Sequence, residues 1–246
     1  MSAESKSLRI AATGDLHYTR TSKGQLETLF TEASKAADVL LLCGDLTDYG
    51  HVEEAHVLAE DIKTHAKIPV LAVLGNHDFE TGHVDEVSRI IEEAGVKLLE
   101  GECAEIKGVG FAGACGFGGG FGRWMLNAWG EPLIKEFAQE GVNQAMKLER
   151  ALARLQTPKR IVITHYSPLR ATVEGENPEV FAFLGSSRLE GPLNRFNVTA
   201  AFHGHAHNGS PEGRSTEEVP VYNVSLPVLK RTQPDHPWFK LIKVHP

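Results

Sequence analysis

Five short clusters in this 246-residue chain are rich in side chains that bind cations. They are GDLH (Gly14 to His17), GDLTD (Gly44 to Asp48), GNHD (Gly75 to Asp78), THYSP (Thr164 to Pro168) and GHAH (Gly204 to His207). Their imidazole, carboxylate and amide donors are the ligand types that suit Zn, Mn or Fe. A cation held by such groups can polarise a phosphoryl or carbonyl oxygen and lower the pKa of water from about 15.7 to roughly 7. Hydrolysis assisted by metal is therefore the chemistry these residues point to. Taken singly, each Asp or His has a plainer use: Asp15 and Asp45 could cap helices, and Asp48 is expected to cap a helix starting near His51. Five clusters of one kind outweigh those separate readings.

Each cluster directly follows an apolar run. Strands are predicted at Leu8–Thr13, Asp38–Cys43, Pro69–Leu74 and Arg160–Thr164, then at Val198–His203, Pro220–Ser225 and Trp238–Val244. The first four are continuously apolar, as strands covered on both faces are. Helices are predicted at Lys23–Ala37, His51–Ala66 and His83–Ala94, with a longer one over Glu131–Leu155. In the long helix, Val142, Ala145, Met146, Glu149 and Leu152 fall on one side, and Gly95 and Gly141 are expected stop or break points. The alternation gives an α/β chain with mixed sheets. Sites in open α/β sheets gather at the carboxyl ends of strands, so clusters scattered along the chain can converge. Within them, Asp15 and His17 are two apart, as are His205 and His207, which in extended backbone puts each pair on one side.

The ordered series D-x-H, GD-x-x-D, GNHD, a lone His and GHxH resembles the calcineurin-like metallophosphoesterase family, from Asp15 to His207. The resemblance implies a four-layer αββα sandwich of two mixed β-sheets flanked by helices, formed by residues 1–246 as one domain. It also implies two metal ions (Mn, Fe or Zn). Asp15, His17 and His207 would bind one, Asn76, His165 and His205 the other, and Asp45 would bridge them. His77 matches the family's catalytic histidine near the leaving group, and Asp78 a carboxylate that would orient it. The implied reaction is attack by a hydroxide held between the metals on a small phosphorylated substrate, expected to be a phosphodiester such as a cyclic nucleotide. A phosphomonoesterase or nucleotide pyrophosphohydrolase on the same centre is the alternative. A non-catalytic scaffold would be expected to have lost ligands, yet Asp45, Asn76 and His77 all stand.

Composition narrows the rest. A net charge of −7 argues against nucleic-acid binding, and no polybasic run suggests a membrane surface. The opening MSAESKSLRI lacks a secretory apolar stretch, and three cysteines without CxxC spacing give no disulfide framework; a cytoplasmic location is expected. There is no GxSxG elbow and no cysteinyl-phosphatase loop. The glycine-dense segment Gly110–Trp124 reads as a mobile loop, or else as a pocket wall bringing Arg123 or Trp124 to the ligand. Arg170 and Asn208 are further candidates for phosphate contact. Tyr18 could edge the pocket, and His203 is expected to be supporting core.

Overall fold

The computed structural model describes residues 7–246, so most of the opening stretch lies outside the described residues. Among the described residues eleven strands run in chain order: β1 Leu8–Thr13, β2 Val39–Cys43, β3 Val70–Val73, β4 Val96–Leu98, β5 Cys103–Ile106, β6 Val109–Ala114, β7 Lys159–Thr164, β8 Ala200–His203, β9 Glu212–Arg214, β10 Pro220–Asn223 and β11 Lys240–Val244. The helices are α1 Glu27–Ala36, α2 Val52–His65, α3 Val84–Glu93, α4 Pro132–Arg154, α5 Phe181–Leu184, α6 Glu190–Arg195 and α7 Leu226–Thr232. None is long and apolar enough to cross a membrane. One sheet has the order β11-β1-β2-β3-β4 and the other β5-β6-β7-β8-β10-β9. In both, a parallel centre carries antiparallel partners: β11 beside β1, β5 beside β6 and β9 beside β10.

Two-residue periodicity decides which layer each side chain joins. In β2, Val39, Leu41 and Cys43 meet Phe111, Ile161, Ile163 and Phe202 of the other sheet in a shared core. The alternating residues Leu40 and Leu42 face the opposite way, against Leu29 and Phe30 of α1 and Leu58 and Ile62 of α2. Likewise Val162 and Ala201 pack with Leu148, Ala151 and Leu152 of α4. The result is the expected four-layer αββα sandwich. Apolar runs that lacked alternating polar residues did so because both faces are covered.

Three expectations are corrected. Gly110–Trp124 is not one loop: its first part lies in β6, fully buried between β5 and β7. Gly113 is there because a Cβ would press on Leu99 (2.7 Å) and Val73 (2.8 Å), where the two sheets close on each other. The long helix runs unbroken through Gly141, and its buried stripe is Ala138, Gly141, Gln144, Leu148, Ala151 and Leu152, whereas Met146 is exposed. Finally, the side chain of Asp48 caps nothing. Residue 51 is the cap of α2, and Glu54 reaches back to accept from the backbone N–H of Tyr49 and His51.

Candidate metal centre

The carboxyl ends of β1, β2, β3, β7 and β8 deliver the five clusters to one edge of the sandwich. The loops after β1 and β2 lie side by side, with the N–H of Asp15 bonded to the Gly44 carbonyl and that of His17 to the Asp45 carbonyl. The geometry differs from the extended pairs expected. Asp15 (φ 58°), His17 (φ 46°), Asp45 (φ 46°) and His205 (φ 67°) are all left-handed, so each chain curls around the site instead of running past it. Such φ values are uncommon for residues with a Cβ and mark a functional constraint. Two glycines make room for the carboxylates: a Cβ on Gly75 would collide with Asp45, and one on Gly204 with Asp15.

Three overlapping groups of donors result: Asp15, His17 and His207; His17, Asp45 and His77; Asp45, His165 and His205. Asp45 belongs to two of them, and Asn76 joins the third through an Oδ1 to His165 Nε2 distance of 2.9 Å. All seven residues expected as ligands therefore meet.

The protonation pattern shows that a cation fits. A carbonyl oxygen can only accept, so His165 Nδ1 donates to Cys43 (3.0 Å), and His205 Nε2 donates to Phe183 (3.1 Å). In the neutral rings, His165 Nε2 and His205 Nδ1 then carry lone pairs, and they face each other at 3.1 Å. Asp45 Oδ1 lies 3.3 Å from the same His165 nitrogen. Burial drives His205 down to about 3, so it stays neutral at ordinary pH. Electron-pair donors crowded without protons between them need a positive charge in their midst.

In the group of Asp15, His17 and His207 the unpartnered atoms are those of His17. Asp15 is buried, receives His207 Nε2 at 2.8 Å and accepts the His205 N–H at 2.9 Å. Burial pushes Asp15 up, but the His207 bond and the surrounding imidazoles outweigh it and leave it below its ordinary value. Asp45 is raised by burial, next to Asp15 and Asp78. His17 has both ring nitrogens buried and without a hydrogen-bond partner, although Nδ1 lies 3.1 Å from Asp48 Oδ1.

His77 sits beside the donors, its ring 4.6 Å from that of His17 and edge-on. Its Nδ1 donates to the Asp48 carbonyl (2.5 Å), which leaves Nε2 for proton exchange. Burial lowers its pKa, but that carbonyl, together with Asp45, Glu80 and Asp48, more than compensates and raises it. The expectation that Asp78 orients this ring is corrected. Asp78 is wholly buried and accepts from Leu46 N (3.2 Å), Thr47 N (2.8 Å), Thr47 Oγ1 (2.6 Å) and Gly75 N (2.8 Å). It ties the loop of Asp45 to the turn of Asn76.

Other candidates have structural duties. Tyr18 is buried and donates to Asp61 (2.8 Å). His203 is buried, with Nε2 2.8 Å from Thr172 Oγ1. Arg170 is paired with Glu174 and Asn208 with Glu176. Arg123 lies over the Trp124 ring, which is 77% exposed, in a hollow shared with Arg170 and Glu190.

Two positioning residues were missed. Glu100 is buried, with a carboxyl pushed up by that burial, and accepts from Leu74 N (2.8 Å) and Cys115 N (3.2 Å). It thereby joins the end of β3, which leads to Asn76, to the end of β6, where the Cys115 carbonyl accepts from the His165 N–H. Asn223 donates to the Ala206 carbonyl (2.7 Å) inside the GHAH turn. Neither stands in a cluster, so no spacing announced them.

A sandwich of two sheets with this centre at its edge defines a metal-dependent phosphoesterase architecture. The profile of the calcineurin-like phosphoesterases matches residues 8–209, and the chain belongs to that family. Phosphopantetheinyl hydrolase from Mycobacterium tuberculosis is similar in structure, with a TM-score of 0.70 at 16% identity over 98% of this chain and 97% of that one. The protein TT1561 of Thermus thermophilus gives 0.56 at 16% identity, over 98% and 99%. A 5'-nucleotidase assignment from Staphylococcus aureus, solved with alpha-ketoglutarate, gives 0.55 at 14%, over 89% of this chain and 48% of that one. These likenesses are likenesses of fold. Comparison with curated protein sequences finds no match.

Proposed function

We propose that the protein hydrolyses a phosphodiester at a centre of two metal ions, with Asp15, His17 and His207 holding one, Asn76, His165 and His205 the other, and Asp45 shared. The observation that carries this reading is the crowd of unprotonated donors around Asp45, His165 and His205. When bound, such ions polarise a phosphoryl oxygen and lower the pKa of water from about 15.7 toward about 7. The chain does the remainder. Asp45, whose carboxylate belongs to two donor groups, would offset repulsion between the cations, and imidazole ligands, being uncharged when they bind a metal, would leave the centre positive enough to draw in a phosphate. His77, fixed through Nδ1 by the Asp48 carbonyl, delivers a proton from Nε2 to the departing oxygen, an effect worth about 10²- to 10⁴-fold.

A diester is favoured over a monoester by the surroundings of Asn76. The adjoining cavity is lined by the rings of Phe79, Phe117 and Tyr166, and no Lys or Arg lines it. A singly charged diester with a second organic arm suits such a neighbourhood better than a dianion that calls for a guanidinium clamp. The phosphopantetheinyl hydrolase among the similar structures also carries a name that implies an organic arm on phosphate. A panel of chromogenic monoesters, diesters and cyclic nucleotides, assayed with Mn²⁺, Fe²⁺ and Zn²⁺, tests the assignment. Diesters are expected to give the highest kcat/KM; a monoester or pyrophosphate preference would transfer the protein to the alternative reading.

A further inference from the structure

Beside Asn76 opens a cavity of about 270 Å³, some nine times the roughly 30 Å³ that a water molecule occupies in the liquid. Phe79, Phe117 and Tyr166 form its walls, and Glu140 and Gln144 of α4 supply its polar groups. The rings are packed in a series: Tyr166 stands 4.5 Å from the His205 ring, Phe117 5.8 Å from Tyr166, and Phe137 4.8 Å from Phe117. Asn76 of the donor cluster lines the same cavity as Glu140 and Gln144 of α4, so the space joins the two. Here the glycine-rich segment after β6 has its use. Gly116 and Phe117 belong to the wall, and the left-handed turn at Gly116 (φ 83°) passes so close to Tyr166 and Leu189 that a Cβ there would touch both.

The polar end is acidic and directional. Glu140 accepts from Gln144 Nε2 (2.7 Å) and from Asn143 Nδ2 (3.1 Å). A carboxylate has about four acceptor sites, so it retains capacity for a donor on a ligand. No Lys or Arg stands on the lining itself, so a second phosphate or a carboxylate entering here would meet the Glu140 carboxylate without a cationic partner in contact.

We propose that this cavity is the subsite for the organic arm of the substrate, and that it selects a slender apolar arm ending in a hydrogen-bond donor (hydroxyl, amide N–H or ammonium) over one ending in an anion. The inference rests on the phosphoesterase reading of the adjoining centre. It narrows that reading to esters whose arm is alkyl-like and excludes nucleoside polyphosphates whose additional phosphates would occupy this space.

Binding of alkylphosphonates to the Mn²⁺-loaded protein, measured by calorimetry, tests the subsite without turnover. Each buried methylene is worth roughly fourfold, so butylphosphonate should bind at least about tenfold tighter than methylphosphonate. The 4-hydroxybutyl compound should keep that gain, and 3-carboxypropylphosphonate should lose it. In Phe117→Ala the butyl-to-methyl ratio should fall severalfold, and in Glu140→Gln the penalty on the carboxylate should shrink. Ratios are compared within each variant, so a partial loss of folded protein cancels. Equal binding of methyl and butyl compounds, a ratio unchanged by Phe117→Ala, or no binding of any phosphonate would overturn the inference. Diester turnover that persists alongside such a result would leave the phosphoesterase reading standing; selective binding without any turnover would sink that reading and keep the subsite.

Discussion

The residues around His77 divide into those that hold cations and those that move or place groups, and substitutions should separate the two. Asp45→Ala removes the carboxylate shared between donor groups, so metal content and activity should fall together, as read by elemental analysis beside a rate assay. His77→Ala should retain metal and lose about 10²- to 10⁴-fold in kcat on poor leaving groups, with much smaller losses on nitrophenolate. Equal losses across leaving groups would remove the proton-donor role. Glu100→Ala leaves the N–H groups of Leu74 and Cys115 without their acceptor. It should cost about 1–3 kcal/mol in denaturant unfolding and weaken metal affinity. At this scale the sequence was informative where chemistry is concentrated: Asp15, His17, Asp45, Asn76, His165, His205 and His207 each lie in a conspicuous cluster and do meet. Glu100 and Asn223 act through single backbone contacts from unremarkable surroundings. The role of Asp78 was misjudged because neighbours in sequence need not touch: Asp78 faces the loop of Asp45, and His77 faces Asp48.

Elements were legible in proportion to their apolarity. β2 is a continuous aliphatic run buried on both sides, and β1 and β7 are buried likewise beyond Arg9 and Arg160; their positions follow from that pattern. By contrast, β6 (VGFAGA) hid behind glycines, since its small residues answer to the close approach of Leu99, Val73, Leu155 and Thr157 instead of to any strand propensity. The short strands β4, β5 and β9 carry only three or four residues each, too few for periodicity to show. In α4 the buried stripe includes Gly141 and Gln144, whose types do not advertise burial, so the helical face was set by tertiary packing. Gly113→Ala should accordingly overpack the contact between the sheets and destabilise the fold by about 1–3 kcal/mol, measured by chemical denaturation. An unchanged midpoint would mean that the sheets can separate at little cost.

For the whole molecule, buried carboxylates at one edge make folding and metal loading mutually dependent. Metal bound only by the native state adds about 2.7 kcal/mol per site at a hundredfold excess over Kd, so chelation should lower Tm and Mn²⁺ should restore it. Far from that edge, Asp38 takes hydrogen bonds from Arg9 side chain and backbone and from Lys107, which hold its pKa well below the usual carboxylate range. A group depressed on folding stabilises above its unfolded pKa, near 3.8, and that contribution is lost as pH falls below it. Between about pH 4 and 2, Asp38→Asn should therefore lose less stability than the parent protein. The centre itself is tested most directly by titrating metal-stripped protein with Mn²⁺ while following hydrolysis of a chromogenic phosphodiester. Turnover should be absent at the start and rise to a plateau near two equivalents of metal; full turnover in the stripped protein would contradict the account.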